Sequence, residues 1–332
     1  MISGNMLNKK NILITGGAGF IGSHLSEALI ERDCKVTVID DLSTGSKKNI
    51  AHLFRHPNFE FVYETSANEV VMDRLVNRCN IVFHLAAAVG VDLIVKDPVR
   101  VIETNIQGTH VLLKLANRYR KRVFIASTSE IYGKRTDVPF KEDSDRLLGS
   151  TTKSRWCYST TKAIDEFLGL AYHKMYGLPI VIFRLFNTVG PRQSGQYGMV
   201  LPRFIDQALR NEPITVYGDG TQSRCFCNVS DVVQALIKLA ESKEAIGEIF
   251  NIGSTEEISI ADLAKRIIAL LGKEVSSKNI KFVPYHEAYE AGFEDMQKRI
   301  PDLTKINNLL KWSPQKNLDE TIREIIEYKK NL

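Results

Sequence analysis

Short apolar runs alternate with longer stretches of helical periodicity through the first half of the chain. A continuous apolar run predicts a strand covered on both faces, and apolar residues three or four positions apart predict an amphipathic helix. Long helices are predicted over residues 97–119 and 158–176. Strands are predicted over residues 11–14, 36–39, 59–63, 81–84, 122–126 and 180–184.

This alternation predicts an α/β fold built on a doubly wound parallel sheet of the Rossmann type. Beyond residue 187 the pattern is mixed, with helices predicted over 201–210, 231–240 and 260–271 and strands over 214–217, 225–229 and 248–252. We therefore expect two domains. The first covers residues 1–186, with its sheet completed from 225–252, and the second is a smaller interleaved α/β domain formed by 187–224 and 253–332.

A glycine-rich turn separates the first predicted strand from a helix that starts near residue 20. Gly16, Gly19 and Gly22 have no Cβ, so the backbone can turn tightly there and approach a ligand closely. The free N–H groups and the positive dipole end of the following helix suit a pyrophosphate. A purely structural turn without a nucleotide is the alternative.

A carboxylate at the end of the second strand favours a nucleotide-binding turn over a purely structural one. Asp40 is placed to accept hydrogen bonds from the ribose hydroxyls of an adenosine, and its charge would repel a 2′-phosphate. We therefore predict NAD as the cofactor rather than NADP. The other residues expected to line it follow the glycine turn and the fourth strand: Phe20, Ile21, Leu85, Ala86 and Ala87.

A tyrosine and a lysine four residues apart provide candidate chemistry on the predicted helix over 158–176. Tyr158 and Lys162 share one face of that helix. Because a nearby ammonium stabilises a phenolate, we expect Lys162 to lower the pKa of Tyr158 and make it a base for a sugar hydroxyl. By itself such a pair is a common coincidence, but it gains weight from the predicted dinucleotide site.

Composition narrows the class of protein. The 332 residues are 44% hydrophobic and 25% charged, as in ordinary soluble proteins, and no apolar run is long enough to span a bilayer. A net charge of +5 fits a diphosphate ligand without requiring nucleic acid. The five scattered cysteines predict reduced thiols in a cytoplasmic protein with no metal site. Residues 1–10 predict a loose extension, not a secretory signal.

With these features in place, the sequence resembles the extended short-chain dehydrogenases that modify nucleotide sugars. The resemblance covers nearly the whole chain, from residue 11 to the last helix. Its motifs are TGGAGFIG at 15–22, HLAAA at 84–88, STSEIYG at 127–133, YSTTK at 158–162, RLFNTVGPR at 184–192, VYGDGTQSR at 216–224 and RIPD at 299–302.

The resemblance implies NAD-dependent oxidation at C4 of a nucleotide sugar. Tyr158 would be the base, and Lys162 would also hold the nicotinamide ribose. Thr128 would bind the sugar 4-hydroxyl, with Ser129 alongside it. The residues implied to hold the nucleoside diphosphate and the sugar are Asn187, Arg192, Arg224 and Arg299. One departure is the sequence Glu-Thr-Ser at 64–66, where the family usually has an aspartate near the adenine.

Glu130 directs the choice of reaction. The family resemblance implies threonine or serine at this position in simple 4-epimerases. A glutamate there is similar to what uronate decarboxylases and 4,6-dehydratases have. Arg155-Trp156 before the tyrosine and Arg299 before a proline also resemble bacterial uronate decarboxylases. Our hypothesis is that Arg299 orients a C5 carboxylate and Glu130 repels it. Plainer roles stay open: a structural hydrogen bond for Glu130 and a phosphate clamp for Arg299.

UDP-glucuronate decarboxylation is thus the first expectation, and uridine as the base is implied by the family alone. The alternatives are a 4-epimerase acting on a UDP-uronate or UDP-hexose, a 4,6-dehydratase, and a non-enzymatic NAD-binding regulator.

The helices over 97–119 and 158–176 resemble those that pair in homodimeric relatives. Their candidate contact residues could equally face the chain's own sheet: Ala163, Phe167, Leu170, Ala171 and Met175.

Overall fold

A computed structural model describes residues 7–195, 199–276, 278–288 and 294–332. Its strands are β1 (Asn11–Thr15), β2 (Lys35–Asp40), β3 (Phe59–Tyr63), β4 (Ile81–His84), β5 (Arg122–Thr128), β6 (Ile180–Leu185), β7 (Thr188–Val189), β8 (Ile214–Tyr217), β9 (Ser223–Cys225), β10 (Cys227–Asn228), β11 (Ile249–Ile252), β12 (Glu257–Ser259) and β13 (Ile280–Val283).

The helices follow the predicted periodicity closely. They are α1 (Phe20–Ile30), α2 (Glu69–Arg78), α3 (Val91–Lys96), α4 (Pro98–Arg118), α5 (Cys157–Tyr176), α6 (Val200–Leu209), α7 (Val229–Glu241), α8 (Ile260–Leu270), α9 (Tyr285–Ala288), α10 (Thr304–Leu310) and α11 (Leu318–Lys330).

Seven strands form the central sheet in the order β11-β6-β5-β4-β1-β2-β3. All neighbouring pairs in it are parallel, so the carboxyl ends of β1, β4, β5 and β6 meet at one edge. Helices α1 and α7 pack on one face through a fully buried core, and α2, α4 and α5 pack on the other. This confirms the doubly wound α/β fold, whose ligands bind at that carboxyl edge.

The last strand of the sheet comes from the second half of the chain. After β6 the backbone leaves the sheet, forms α6 and α7, and returns as β11 at the edge. On β11, Asn251 accepts a hydrogen bond from the hydroxyl of Tyr132 at 2.7 Å and donates to the carbonyl of Phe140 at 2.9 Å. A separate core of α6, α8 and α11 lies beyond the sheet, and the division into two domains stays a prediction.

Three predicted segments need correction. The strand predicted over 225–229 is two short strands, β9 and β10, because the Asn228 side chain caps α7 and the helix begins at Val229. β5 extends through Thr128, two residues further than predicted. Of the predicted extension, residues 1–6 lie outside the described residues, but Leu7 is fully buried rather than loose. Within the described residues, no helix is both long and apolar enough to cross a membrane.

Candidate active site

The glycine turn places the start of α1 directly against β1 and β4. Gly16 has φ +70°, and a Cβ there would lie 2.8 Å from the backbone N and Cα of Ala86. A Cβ on Gly22 would collide with the carbonyl oxygen of Gly16. Gly19 precedes α1 without any side-chain cap, so the first N–H groups of the helix face the turn. This close-packed, uncapped helix start fits a diphosphate.

Asp40 sits at the end of β2 beside this turn and is almost buried. Its carboxylate accepts hydrogen bonds from the backbone N–H groups of Ala18, at 2.9 Å, and Leu42, at 2.8 Å. These contacts fix the carboxylate beside the glycine turn, and its predicted role in binding a ribose stays a prediction. After β3, residues 64–66 are the place where the sequence departs from the family pattern. Thr65 and Ser66 line the cleft that contains the glycine turn, and the Glu64 carboxylate accepts a hydrogen bond from the Thr65 N–H at 2.9 Å.

One long cleft, here called the glycine-side cleft, brings together nearly all predicted site residues. It starts at Asp40, passes the glycine turn and ends at Tyr158. The predicted residues that line it are Gly16, Gly19, Phe20, Ile21, Gly22, Asp40, Leu85, Ala86, Ala87, Thr128, Ser129, Glu130, Tyr158, Lys162, Asn187, Arg192 and Arg299.

Tyr158 and Lys162 lie at the inner end of that cleft, one turn apart on α5. Tyr158 is hydrogen-bonded to the side chain of Thr128, at the end of β5. The Ser129 hydroxyl beside it is buried and has no hydrogen-bond partner among the described residues. An unpaired hydroxyl at this depth is suited to a ligand's polar atom.

The expected effect of Lys162 on Tyr158 is wrong for the structure as it stands. Burial, followed by the negative charges of Glu130 and Asp165, raises the pKa of Tyr158 instead of lowering it. The Lys162 ammonium is bound to the carboxylate of Asp165 at 2.7 Å, so the negative charge of Asp165 partly offsets its effect on the phenol. A bound cation near the phenol would work in the opposite direction.

Glu130 is held by two buried arginines. Its Oε1 accepts from Nη2 of Arg155 and from Nη2 of Arg299, both at 3.0 Å, and its Oε2 accepts from Nη1 of Arg155. Burial alone would raise the pKa of Glu130, but the two guanidinium groups outweigh it and lower the pKa to about 2. Glu130 is therefore a carboxylate at neutral pH and has no proton to donate.

A second cleft, here called the arginine-side cleft, opens from Glu130 and Arg299 toward Arg224. Arg224 donates to Asp295 at 3.0 Å, and the same carboxylate lies 4.0 Å from Arg155. Charges of alternating sign thus run from Glu130 through Arg155 and Asp295 to Arg224. Asn187 lines both clefts and donates to the carbonyl of Cys225 at 3.0 Å.

Arg192 lines only one of the two clefts, unlike Asn187 and Arg299, which line both. It lines the glycine-side cleft and donates to Glu27 on α1 at 2.6 Å. Its predicted contact with the substrate stays a prediction.

Sequence reasoning assigned no role to Arg155, Asp165 or Asp295. Arg155 could have been found, because it belongs to a quoted motif directly before Tyr158. Asp295 and Asp165 gave no such signal, since acidic residues in a polar loop or on a helix are usually solvated.

Comparisons with known proteins show the family to which the chain belongs. The chain matches the family described as GDP-mannose 4,6 dehydratase over residues 13–325. UDP-N-acetyl-alpha-D-glucosaminuronate decarboxylase of Bacillus cytotoxicus is 43% identical over 321 residues, covering 96% of this chain and 98% of the relative. UDP-glucuronic acid decarboxylase 1 of Danio rerio is 37% identical over 321 residues, covering 97% and 73%.

A solved structure is similar over the same length. UDP-glucuronic acid 4-epimerase from Bacillus cereus, in complex with UDP-glucuronic acid and NAD, gives a TM-score of 0.86 at 31% identity. The match covers 97% of this chain and 99% of that one.

The fold, the glycine turn and the Tyr158–Lys162 pair define an NAD-dependent, nucleotide-sugar-modifying enzyme of the extended short-chain dehydrogenase type. The chain belongs to the family described as GDP-mannose 4,6 dehydratase. The described residues fit NAD, because the uncapped start of α1 would suit its diphosphate and the Asp40 carboxylate would accept hydrogen bonds from its ribose. When bound, NAD supplies the acceptor for a hydride leaving the sugar.

Proposed function

We propose that the protein decarboxylates a UDP-hexuronate, with UDP-glucuronate as the first candidate and UDP-N-acetylglucosaminuronate as the second. The charge of the buried cluster at Glu130 carries the proposal. Two guanidinium groups share one carboxylate there, so one positive charge is in excess. A sugar carboxylate would balance that charge, whereas a neutral hexose would leave it uncompensated.

An unused donor supports the same conclusion. Nε of Arg299 is buried and has no hydrogen-bond partner among the described residues, and the Arg299 side chain lines both clefts. Such a donor suits an added carboxylate oxygen. The names of the two decarboxylase relatives, one of them 43% identical, also support a uronate substrate.

In the proposed reaction Tyr158 accepts the proton of the sugar 4-hydroxyl as the C4 hydride leaves to the cofactor, and Thr128 positions its phenol. Once C4 is a ketone, the carboxylate on C5 is in the β position, so the C5–C6 electron pair can move toward the ketone oxygen as carbon dioxide leaves. Arg299 and Arg155 orient the carboxylate, and Glu130 repels it until it is lost. Water supplies the proton at C5 and leaves hydroxide, and Tyr158 returns its own proton to O4 as the hydride returns to C4.

A 4-epimerase acting on a UDP-uronate is the second candidate, favoured by the structure of the Bacillus cereus 4-epimerase with UDP-glucuronic acid. It would use the same Tyr158 and the same carboxylate-binding arginines. The difference between the candidates lies in Glu130, whose charge opposes the substrate carboxylate and so favours its loss.

The test is to mix the purified protein with NAD and each of the two UDP-uronates and to record mass spectra of the nucleotide sugars. A product lighter by one carbon dioxide is expected, and the faster substrate identifies the sugar. A new isomer of unchanged mass would establish the epimerase instead. If neither uronate reacts, the proposal fails, and loss of water from a neutral UDP- or GDP-hexose would indicate a dehydratase.

We also propose that the protein is a cytoplasmic homodimer. The outer faces of α4 and α5 expose large apolar side chains, among them Val99, Phe167 and Met175, which are 62%, 67% and 70% exposed. Such adjacent exposed groups favour a protein interface. All five cysteines are unpaired thiols, which supports a reducing compartment.

A further inference from the structure

The lysine of the catalytic pair has a carboxylate partner on its own helix. Nζ of Lys162 donates to Oδ2 of Asp165 at 2.7 Å, and the two side chains are only 2% and 1% exposed. Among the described residues, Asp165 is the one carboxylate within 4.0 Å of this ammonium. A charge pair this deeply buried is costly to assemble and is not explained by helix stability.

The other oxygen of Asp165 is also unusual. Oδ1 is buried and has no hydrogen-bond partner among the described residues. A carboxylate oxygen left unpaired in the interior costs free energy, whereas an apolar residue at this position would not. The next residue, Glu166, shows the ordinary arrangement, because both its oxygens bind the Arg184 guanidinium at 2.7 to 2.9 Å.

We propose that Asp165 is a positioning residue: it holds the Lys162 ammonium and, by offsetting its charge at the phenol, helps to keep Tyr158 a phenol until a cationic nicotinamide is present. The inference rests on the proposed role of Tyr158 as the base. It does not depend on which uronate reacts, nor on whether the product is a pentose or an epimer.

Asp165 is one of two carboxylates whose negative charge acts on Tyr158, and the other is Glu130. Glu130 and Arg299 face Tyr158 from the cleft with opposite charges, and Arg155 lies beyond Glu130. On β4, His84 is neutral, because burial and Lys162 lower its pKa to about 3. From α4, neutral Asn105 and Thr109 are buried on the inner side, whereas Glu103 and His110 are exposed.

The physical consequence concerns proton transfer. The Asp165 carboxylate offsets the Lys162 charge at the phenol and, after burial and Glu130, contributes to the raised pKa of Tyr158. Binding of a positively charged nicotinamide beside the phenol would lower it, so the base forms when its hydride acceptor is present. A buried phenolate in the cofactor-free protein is thereby avoided.

The test compares Asp165→Asn with the wild-type enzyme. Removing the negative charge leaves Lys162 free to favour the phenolate, so the acidic limb of kcat/KM against pH should move down by about one pH unit. The tyrosinate absorbance of the NAD-loaded protein, corrected with the matching Tyr158→Phe protein, should move by the same amount without any substrate.

Three further variants separate this role from a structural one. Asp165→Glu retains the charge and should restore the wild-type limb. Asp231→Asn changes another buried aspartate, which accepts from the Lys316 N–H at 3.0 Å far from the clefts, and should lower only the melting temperature. Asp165→Ser replaces the asparagine variant if that protein does not fold.

The inference would be overturned if Asp165→Asn and Asp165→Ser both kept the wild-type acidic limb of kcat/KM and the wild-type tyrosinate titration. The proposed function is tested separately by the wild-type reaction with the UDP-uronates. An active wild-type enzyme with unmoved profiles therefore rejects the role of Asp165 alone.

Discussion

At the scale of single residues, Glu130 decides how the site handles charge. Because two buried guanidinium groups depend on it, Glu130→Gln leaves them facing a neutral amide. Loss of one partner from a buried ion pair typically costs about 3–5 kcal/mol of folding free energy. We expect this variant to melt at a lower temperature and to recover more stability than the wild type on adding UDP-glucuronate, which calorimetry can measure.

The same variant separates the chemical steps. Glu130→Gln should slow the release of carbon dioxide much more than the appearance of NADH absorbance. The reason is that repulsion between Glu130 and the substrate carboxylate favours the loss of that carboxylate, which follows oxidation. Glu166→Gln is the matched control, because it disturbs an equally buried arginine pair outside the clefts. Equal slowing of both steps in Glu130→Gln, or a control that gains more stability from the uronate than the wild type does, would contradict the role given to Glu130.

The pH dependence of stability has a definite sign here. The pKa of Glu130 is lowered from an ordinary 4.5 to about 2 in the folded protein. Its stabilising contribution is therefore complete above pH 4.5 and is lost as the pH falls toward 2. The stability difference between wild type and Glu130→Gln should shrink over that window in acid-denaturation curves, whereas a constant difference would speak against an ionised Glu130.

At the scale of elements, the strand–turn–helix unit of β1 and α1 tolerates no side chain where the turn closes. A methyl group on Gly22 would meet the carbonyl oxygen of Gly16, which belongs to rigid backbone. We expect Gly22→Ala to weaken NAD binding by at least tenfold in a fluorescence titration, because α1 cannot approach the diphosphate.

Gly177→Ala is the matched control for that change. Gly177 ends α5 with φ +66° and has open space around it, so alanine costs only about 1 kcal/mol of backbone strain. NAD affinity should stay at the wild-type value in this control. A Gly22→Ala protein that binds NAD equally well would show that the turn is only structural.

The elements also show how much the sequence could predict. β3, β4 and β8 agree with the predicted bounds, because short runs rich in β-branched and aromatic residues between polar turns specify them locally. The region of β9 and β10 was misassigned because their partners, β12 and β7, come from distant segments. Ion pairs such as Lys162–Asp165 depend on rotamers and on burial, neither of which a motif specifies.

At the scale of the whole molecule, the exposed apolar faces of α4 and α5 bear on assembly. Phe167→Glu would place a charge on that face, so we expect a dimer to become a monomer in light scattering or sedimentation. Phe282→Glu is the control, because Phe282 is 51% exposed on β13, which pairs with β8 rather than with α4 or α5. A monomeric wild type, or a Phe167→Glu dimer, would rule out this interface.

The late return of β11 to the central sheet limits how such enzymes can be recombined. In a chimaera with a single junction near residue 187, the second parent would supply the last strand of the sheet. That strand carries Asn251, which is hydrogen-bonded to Tyr132 and Phe140. Tyr132 ends the same short turn that carries Glu130. Exchanging substrate preference between relatives therefore requires at least two crossovers, with residues 249–252 retained from the parent that supplies the glycine turn.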